Sequence, residues 1–172
     1  METIIYFNDK KRLKSLLMGV GITLVAAAFL YFIIFVDNKL RITYLLFFGL
    51  LFFAGLYILF IGIKEILEKD KRALIFSNEG ILSRETQNAR KIGLVPWSDI
   101  SSLSVINLYK QRYVSLIAKD KSKYLGILKG PAAKQLNEQG VIINISSDET
   151  DTSFEDLYKL VESYFNKQQR EG

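Results

Sequence analysis

The side chains with the clearest chemical potential in this sequence are carboxylates, amines and hydroxyls in its second half. Asp99, Lys119 and Asp120, together with nearby serines, are residue types that serve as acids, bases or nucleophiles. The sequence has no carboxylates paired at an interpretable spacing, no nucleophile elbow and no phosphate loop, and segment 126–131 lacks the Walker pattern. We therefore predict no catalytic residues and a protein that is not an enzyme.

Histidine and cysteine are both absent from the chain. This composition excludes zinc sites built from thiolates or imidazoles, disulfides, thiol nucleophiles and histidine-based catalysis. No metal site and no cofactor are predicted. The net charge of +5 does not indicate a nucleic-acid partner, because residues 1–72 contain 10 Lys/Arg against 6 Asp/Glu, whereas residues 73–172 contain 13 against 12.

Trp97 and Asp99 are the two residues that we single out for binding a partner. They follow Pro96, which favours a strand edge or a bend between strands. A lone Trp in a small β-rich domain is most often a core residue, and Asp99 could accept backbone hydrogen bonds at the same bend. Both interpretations of this segment stay open at the level of sequence.

Two uncharged segments predict membrane-spanning helices. Residues 16–36 and 42–63 contain 21 and 22 residues without a charge, and at ~1.5 Å per residue each can cross a hydrocarbon core of about 30 Å. Both are apolar all round, whereas core helices of a soluble protein have a polar face. The short connection predicts an antiparallel hairpin. A cleaved signal peptide ending near Ala28 is the alternative, but the apolar run continues to Val36.

The distribution of basic residues around these segments predicts their orientation. Four basic residues precede the first span, four follow the second, and two lie between them: Lys10, Lys11, Arg12 and Lys14; Lys64, Lys69, Lys71 and Arg72; Lys39 and Arg41. Because positive side chains resist translocation, we expect both termini and the C-terminal domain on the cytoplasmic side of the inner (plasma) membrane. The spans contain no ionisable side chain other than tyrosine, which argues against a transporter.

Ten basic residues are candidates for contact with anionic lipid headgroups: Lys10, Lys11, Arg12, Lys14, Lys69, Lys71, Arg72, Lys119, Lys121 and Lys123. Each basic residue near an anionic surface contributes about 1 kcal/mol, so such contacts would orient a tethered domain. The alternative is that those in the C-terminal domain lie on solvated loops.

Small residues recur along one face of each span. Gly19, Thr23 and Ala27 are spaced by four in the first, and Gly55 and Gly62 share a face of the second. Small side chains let helix backbones approach closely in lipid. We expect them to pack the hairpin on itself, with a homodimer interface as the alternative.

The remainder of the chain is predicted to be mainly β-structure. The expected strands are 73–77, 81–84, 92–95, 101–108, 113–119, 123–128 and 141–145. A turn at 78–80 joins the first two and favours a positive φ at Gly80. The polar segments 86–91 and 109–112 are predicted to be loops.

Two helices complete the predicted domain. The first covers residues 131–138, with Pro131 in its first turn and Gly140 at its exit. The second is C-terminal and amphipathic, and Thr152 with Glu155 forms a capping-box pattern at its start. The chain is thus predicted to be α+β, with a helical hairpin at 1–72 and a β-rich domain at 73–172.

The order of motifs resembles an uncharacterised family of small bacterial proteins that have two transmembrane helices and a pleckstrin-homology-like domain. The resemblance is carried by the segments NEGI at 78–81, PWSDI at 96–100, ISS at 145–147 and SFEDLY at 153–158. It implies a bent β-sheet or barrel of about seven strands capped by the C-terminal helix. It implies no catalytic or ligand-binding residues, and the 78–80 turn lacks the basic residues that phosphoinositide binding would need.

We expect a membrane-anchored, non-enzymatic module that binds a peptide or protein partner through a sheet edge or a groove beside the last helix. A membrane immunity protein and a scaffold that contacts anionic lipid are the alternatives. The sequence does not predict an oligomeric state.

Overall fold

The computed structural model describes residues 2–36, 42–108 and 111–171. The chain divides into two compact units. The hairpin unit covers Asn8 to Asp70, and the sheet unit combines the first seven residues with the chain from Lys71 onward. The first residues of the chain, which we expected to flank the hairpin, therefore contribute to the sheet unit.

The hairpin unit consists of helix α1, Asp9–Phe35, and helix α2, Ile42–Leu67. Asn8 caps α1 with its side-chain oxygen, which accepts hydrogen bonds from the backbone N–H groups of Lys10 and Lys11. Helix α1 covers the predicted segment 16–36 except for its last residue and also includes the charged residues before it. Helix α2 covers the predicted segment 42–63 and also includes the first charged residues after it. Lys39 and Arg41, the two basic residues of the predicted connection, lie outside the described residues.

Small side chains let the two helices pack closely. The buried residues of α1 recur every seven positions, and those of α2 do the same: Arg12, Gly19, Ala26 and Ile33; Gly55 and Gly62. A Cβ atom added to Gly55 would lie 2.5 Å from Thr23 Oγ1, and one added to Gly62 would lie 3.2 Å from Leu16 Cα. The hairpin thus packs on itself through small residues, as predicted, although Ala26 rather than Ala27 is the buried alanine.

Both helices are long and apolar enough to cross a membrane. At ~1.5 Å per residue, the 27 residues of α1 extend for about 40 Å. Only 17% of the most apolar window of α1 and 11% of that of α2 is buried. Large apolar side chains such as Leu50, Phe53 and Phe60 are exposed. This exposure distinguishes the pair from core helices of a soluble domain, which are mostly buried.

The described residues of the sheet unit form seven strands in two antiparallel sheets. Their bounds are β1 Thr3–Tyr6, β2 Arg72–Phe76, β3 Gly80–Ser83, β4 Leu94–Pro96, β5 Ile100–Leu108, β6 Gln111–Ala118 and β7 Val141–Ser146. The first four form one sheet in the order β1-β2-β3-β4, and the other three form the second in the order β5-β6-β7. The described strands do not close a barrel, because a 3₁₀ turn at Trp97–Asp99 separates β4 from β5 without a ladder between them.

Strand β1 precedes the hairpin unit in the chain but belongs to the first sheet. It pairs with β2 in antiparallel register, with Thr3 opposite Phe76 and Tyr6 opposite Arg72. The backbone N–H of Phe7 donates to the carbonyl of Lys71 at 2.8 Å. The chain therefore leaves the sheet at Phe7 and returns beside the same point, so the hairpin unit is an insertion between two neighbouring strands.

The part of the sheet unit that the structure describes also has four helices: α3 Gln87–Ile92, α4 Ser122–Leu125, α5 Pro131–Gln139 and α6 Phe154–Glu171. Helix α5 was predicted. Helix α3 replaces the predicted loop 86–91, and α4 replaces the predicted strand 123–128, so both predictions were wrong. Of the predicted connection 109–112, Tyr109 and Lys110 lie outside the described residues, and the other two residues begin β6.

Helix α6 packs against the sheets through an apolar stripe. Leu157 and Val161 are fully buried, and Phe154 is nearly so. The cap at its start is Ser153, whose Oγ accepts from the backbone N–H of Asp156 at 3.1 Å. The predicted capping pattern was therefore displaced by one residue, while the amphipathic C-terminal helix was predicted correctly.

Candidate interaction surface

Trp97 lies in the core of the sheet unit. Its side chain is 2% exposed, and its Nε1 donates to the carbonyl of Ser77 at 2.8 Å. The ring stacks on Tyr164 of α6 with centroids 6.0 Å apart. This hydrogen bond and this stacking use both the polar and the apolar parts of the indole, so Trp97 positions the 3₁₀ turn before β5 rather than facing a partner.

Asp99 is held by two residues of helix α4. Its Oδ2 accepts hydrogen bonds from Lys123 Nζ and from the hydroxyl of Tyr124, the latter at 2.6 Å. Partial burial alone would raise the pKa of the Asp99 carboxyl. The hydrogen bonds from these two residues and the charge of Lys123 outweigh that effect and lower the pKa. For Tyr124, burial and the neighbouring Asp99 raise the pKa of the hydroxyl.

The three candidate lysines near this turn differ in what they contact. Lys123 binds Asp99, and Lys121 Nζ donates to the backbone carbonyl of Asn137 at 3.0 Å. Lys119 is exposed, and its backbone N–H donates to the carbonyl of Asp99 at 2.8 Å. The structure therefore brings the lysines to one region, but two of them already hold the turn and helix α5 in place.

The basic residues beside the hairpin also separate into two groups. Arg12 is 2% exposed, and its Nη1 donates to the carbonyl of Glu65 at 2.9 Å and lies 3.6 Å from Glu68 Oε2. This guanidinium joins the two helices and is not presented to a headgroup. The other six are exposed or half-buried: Lys10, Lys11, Lys14, Lys69, Lys71 and Arg72.

Within residues 2–36, 42–108 and 111–171, the two sheets have four edge strands, and three of them offer little to a partner. Strand β1 has four residues, and β4 has three and ends in Pro96, which has no N–H to donate. Strand β7 has six residues, none of which is exposed. Short strands, proline and burial are the usual means by which edges avoid pairing with other chains.

Strand β5 is the exception. It runs for nine residues, Ile100–Leu108, and in the described part of the chain it pairs on one side only, with β6. The strand contains no charged residue and no proline, and Val105 and Leu108 are 43% and 42% exposed. Half of the backbone N–H and C=O groups of an edge strand point away from its neighbour. Apart from a register irregularity between Ile100 and Ser102, the β5 edge therefore offers a row of hydrogen-bonding groups that no charge or proline interrupts.

Glu85 was not singled out by the sequence, but it joins the two sheets. It follows β3, and its Oε2 accepts a hydrogen bond from the backbone N–H of Ser146, the last residue of β7, at 3.2 Å. Its other oxygen, Oε1, is buried without a hydrogen-bond partner. Burial, with smaller contributions from Glu149 and Asp148, outweighs the Ser146 hydrogen bond and raises the pKa of Glu85 to about 8. Only burial could have revealed this residue, and burial depends on the tertiary fold.

The described residues contain no group of three or more Asp or Glu side chains able to hold a metal ion. The chain matches no protein-family description, no curated protein and no solved structure.

Proposed function

We propose that this protein is a membrane-anchored interaction module whose sheet unit binds a partner by strand addition to β5. The observation that carries the proposal is the β5 edge, which is long, uncharged, exposed and unpaired on one side within the described structure. Main-chain hydrogen bonds supply affinity in this mode of recognition, and alternate side chains supply specificity.

The proposed anchor is the hairpin unit, with α1 and α2 spanning the bilayer. Their length, their hydropathy and the exposure of their apolar side chains support this assignment. Burial of those side chains in lipid removes from water an apolar surface that the described protein leaves uncovered. The charged flanks, including the Arg12 contact with Glu68, then lie at the level of the headgroups.

We infer an orientation with both ends of the hairpin in the cytoplasm. Eight basic residues flank the outer ends of the spans, and two lie in the connection. Because the chain leaves the sheet at Phe7 and returns at Lys71, the sheet unit is on the same side of the membrane as those ends. The proposed location is therefore the cytoplasmic face of the inner membrane.

We also propose that the sheet unit is pleckstrin-homology-like. Two antiparallel sheets of four and three strands, followed by a C-terminal helix packed on them, support this assignment. The insertion of the hairpin unit after β1 is a departure from a contiguous domain. A fold of this kind supports many binding functions, so the proposed role is argued from the edge and not from the fold.

Site-specific photo-crosslinking in intact cells tests the proposed role. A photoreactive residue replaces Val105 on β5, and the control replaces Leu125 on α4, which is 41% exposed against 43% for Val105. We expect a discrete adduct from position 105, a similar one from Leu108, and none from position 125. Equal labelling at all three positions, or none at any, would overturn the assignment of β5 as the binding edge.

A further inference from the structure

We propose that the strand added to β5 is β5 of a second copy of this chain, paired in antiparallel register about a two-fold axis at Ser104. The inference rests on the proposed function, because it names the partner of the same edge. It is carried by the composition of the strand, by its register against β6 and by the character of the other edges.

The composition of β5 permits self-pairing. Its nine residues, ISSLSVINL, carry no charge, so two copies place no like charges opposite each other. The adjacent strand shows the contrast, because β6 begins with Gln111 and Arg112 and ends just before Lys119. Serines are the only residues of β5 that lack an apolar or amide side chain, and a serine hydroxyl is readily hydrated or paired.

The register against β6 fixes which side chains share a face. Leu103 lies opposite Leu116 and Val105 opposite Val114. Both β6 residues belong to the hydrophobic core, and Leu103 packs against it, so Leu103 and Val105 are on the core-facing side. Antiparallel pairing about Ser104 places Leu103 opposite Val105 of the second copy, and the reverse. The exposed Val105 then gains an apolar cross-strand neighbour on its own face.

Pairing about this axis also closes on itself. In a two-fold arrangement each copy uses the same edge, so the assembly stops at a dimer. The other edges do not extend it, because β1 and β4 are short and β7 has no exposed residue. A second copy is therefore an occupant that the edge accepts without leading to a continuous sheet.

The contact is small, and the membrane compensates for this. Nine residues on one edge are fewer than the about 20–30 residues a side of a standard interface. Confinement of both copies to one membrane surface, however, raises their effective concentration, as a tether does. We therefore expect dimers in membranes and mainly monomers in dilute detergent.

Cysteine crosslinking in native membranes tests the register, because the sequence contains no cysteine. Directly opposed residues of antiparallel strands have Cα atoms about 4.5–5.5 Å apart, within the range of a disulfide. In the proposed register, Ser104→Cys forms a disulfide-linked dimer on mild oxidation. Ser102→Cys does not, because the Cα atoms at position 102 of the two copies would be separated by about 13 Å along the strand. The double substitution Ser102→Cys/Ile106→Cys restores crosslinking.

A charge substitution gives an independent measurement. Val105→Lys places an ammonium opposite Leu103 of the second copy. We expect this substitution, combined with Ser104→Cys, to abolish the dimer. The dimer is measured with a crosslinker that reacts with the introduced thiol and not with amines. Leu125→Lys, a control of similar exposure on α4, should leave the dimer unchanged. The fluorescence of Trp97, the only tryptophan, verifies that both variants are folded.

The outcomes separate this inference from the proposed function. Equal crosslinking at positions 102 and 104 would indicate random collision and overturn the register. Absence of the Ser104→Cys dimer, with a photo-adduct from position 105 whose mass is that of another protein, would overturn self-pairing and retain strand addition. Absence of both products would overturn both proposals.

Discussion

Replacement of Glu85 by glutamine should change how the stability of the sheet unit depends on pH. Glu85 joins the end of β3 to the end of β7 through the backbone N–H of Ser146, and its Oε1 is enclosed without a hydrogen-bond partner. Burial raises its pKa from 4.5 to about 8 in the folded protein. The folded state therefore binds a proton at this carboxyl over a pH range in which the unfolded chain has released it.

The sign and size of the effect follow from proton linkage. Because the folded pKa lies above the unfolded value, the free energy of unfolding is unaffected by Glu85 below pH 4.5 and falls as pH rises toward 8. Each pH unit in that interval costs about 1.4 kcal/mol, so the loss between pH 5 and pH 7 is about 2–3 kcal/mol and its ceiling above pH 8 is about 5 kcal/mol. Glu85→Gln removes this slope.

Urea unfolding of the full chain in detergent micelles, followed by Trp97 fluorescence, measures the effect. Trp97 is buried in the sheet unit, and the hairpin unit has no tryptophan. We expect the stability of Glu85→Gln relative to the natural protein to increase from pH 5 to pH 7. Parallel pH profiles for the two proteins would refute the assignment of a neutral buried carboxyl.

Glu155→Gln provides a control of opposite sign. Glu155 accepts a hydrogen bond from Arg112 at 2.6 Å, and this contact lowers the pKa of its carboxyl. A depressed pKa contributes stability that is present above pH 4.5 and lost as pH falls through the folded value. The Glu155 variant should therefore differ from the natural protein at neutral pH and converge with it in acid. If the two proteins instead have equal stability at neutral pH and differ in acid, the lowered pKa of Glu155 is contradicted.

Two further predictions concern glycines at close contacts. A Cβ added to Gly80 would lie 2.3 Å from the carbonyl oxygen of Val95, so Gly80→Ala should destabilise the sheet unit by about 1–3 kcal/mol. A Cβ added to Gly126 meets nothing within 4 Å, so Gly126→Ala should leave the stability unchanged. Trp97 fluorescence during unfolding measures both variants. In the hairpin unit, Gly55→Val should lower the thermal midpoint of helix loss by circular dichroism in detergent, and Gly49→Val, which meets nothing within 4 Å, should not. Equal effects within either pair would contradict the packing.

The elements with strong local signals could be predicted from the sequence. The two helices of the hairpin follow from uninterrupted apolar runs, and helix α5 follows from Pro131 at its start and Gly140 at its end. Gly140 does adopt a positive φ of 76°. Gly80 was predicted to need the same conformation, but it is absent from the positive-φ glycines and is instead required by the close approach of Val95.

The elements that were missed depend on distant parts of the chain. Strand β1 has four residues, too few for a clear alternation, and its partner β2 follows the whole hairpin unit. The segment 123–128 is apolar enough for a strand, but Tyr124 must place its hydroxyl on Asp99, and a helical turn does so. The β5 strand was predicted, whereas its unpaired edge depends on the tertiary arrangement, in which β4 and β5 belong to different sheets of the described structure.

The insertion of the hairpin unit between β1 and β2 has an energetic explanation. Pairing of β1 with β2 closes a loop that extends from Asn8 to Asp70, and for a flexible chain of that length the entropic cost is about 3.7 kcal/mol plus a constant. Helices α1 and α2 have 27 and 26 residues and pack antiparallel, so their outer ends meet, as the 2.9 Å contact from Arg12 Nη1 to the Glu65 carbonyl shows. A folded hairpin therefore holds the ends of the loop together, so that pairing of β1 does not require closure of a flexible loop. Weakening of the hairpin seam should thus loosen β1 before the rest of the sheet unit, because β1 alone depends on that closure.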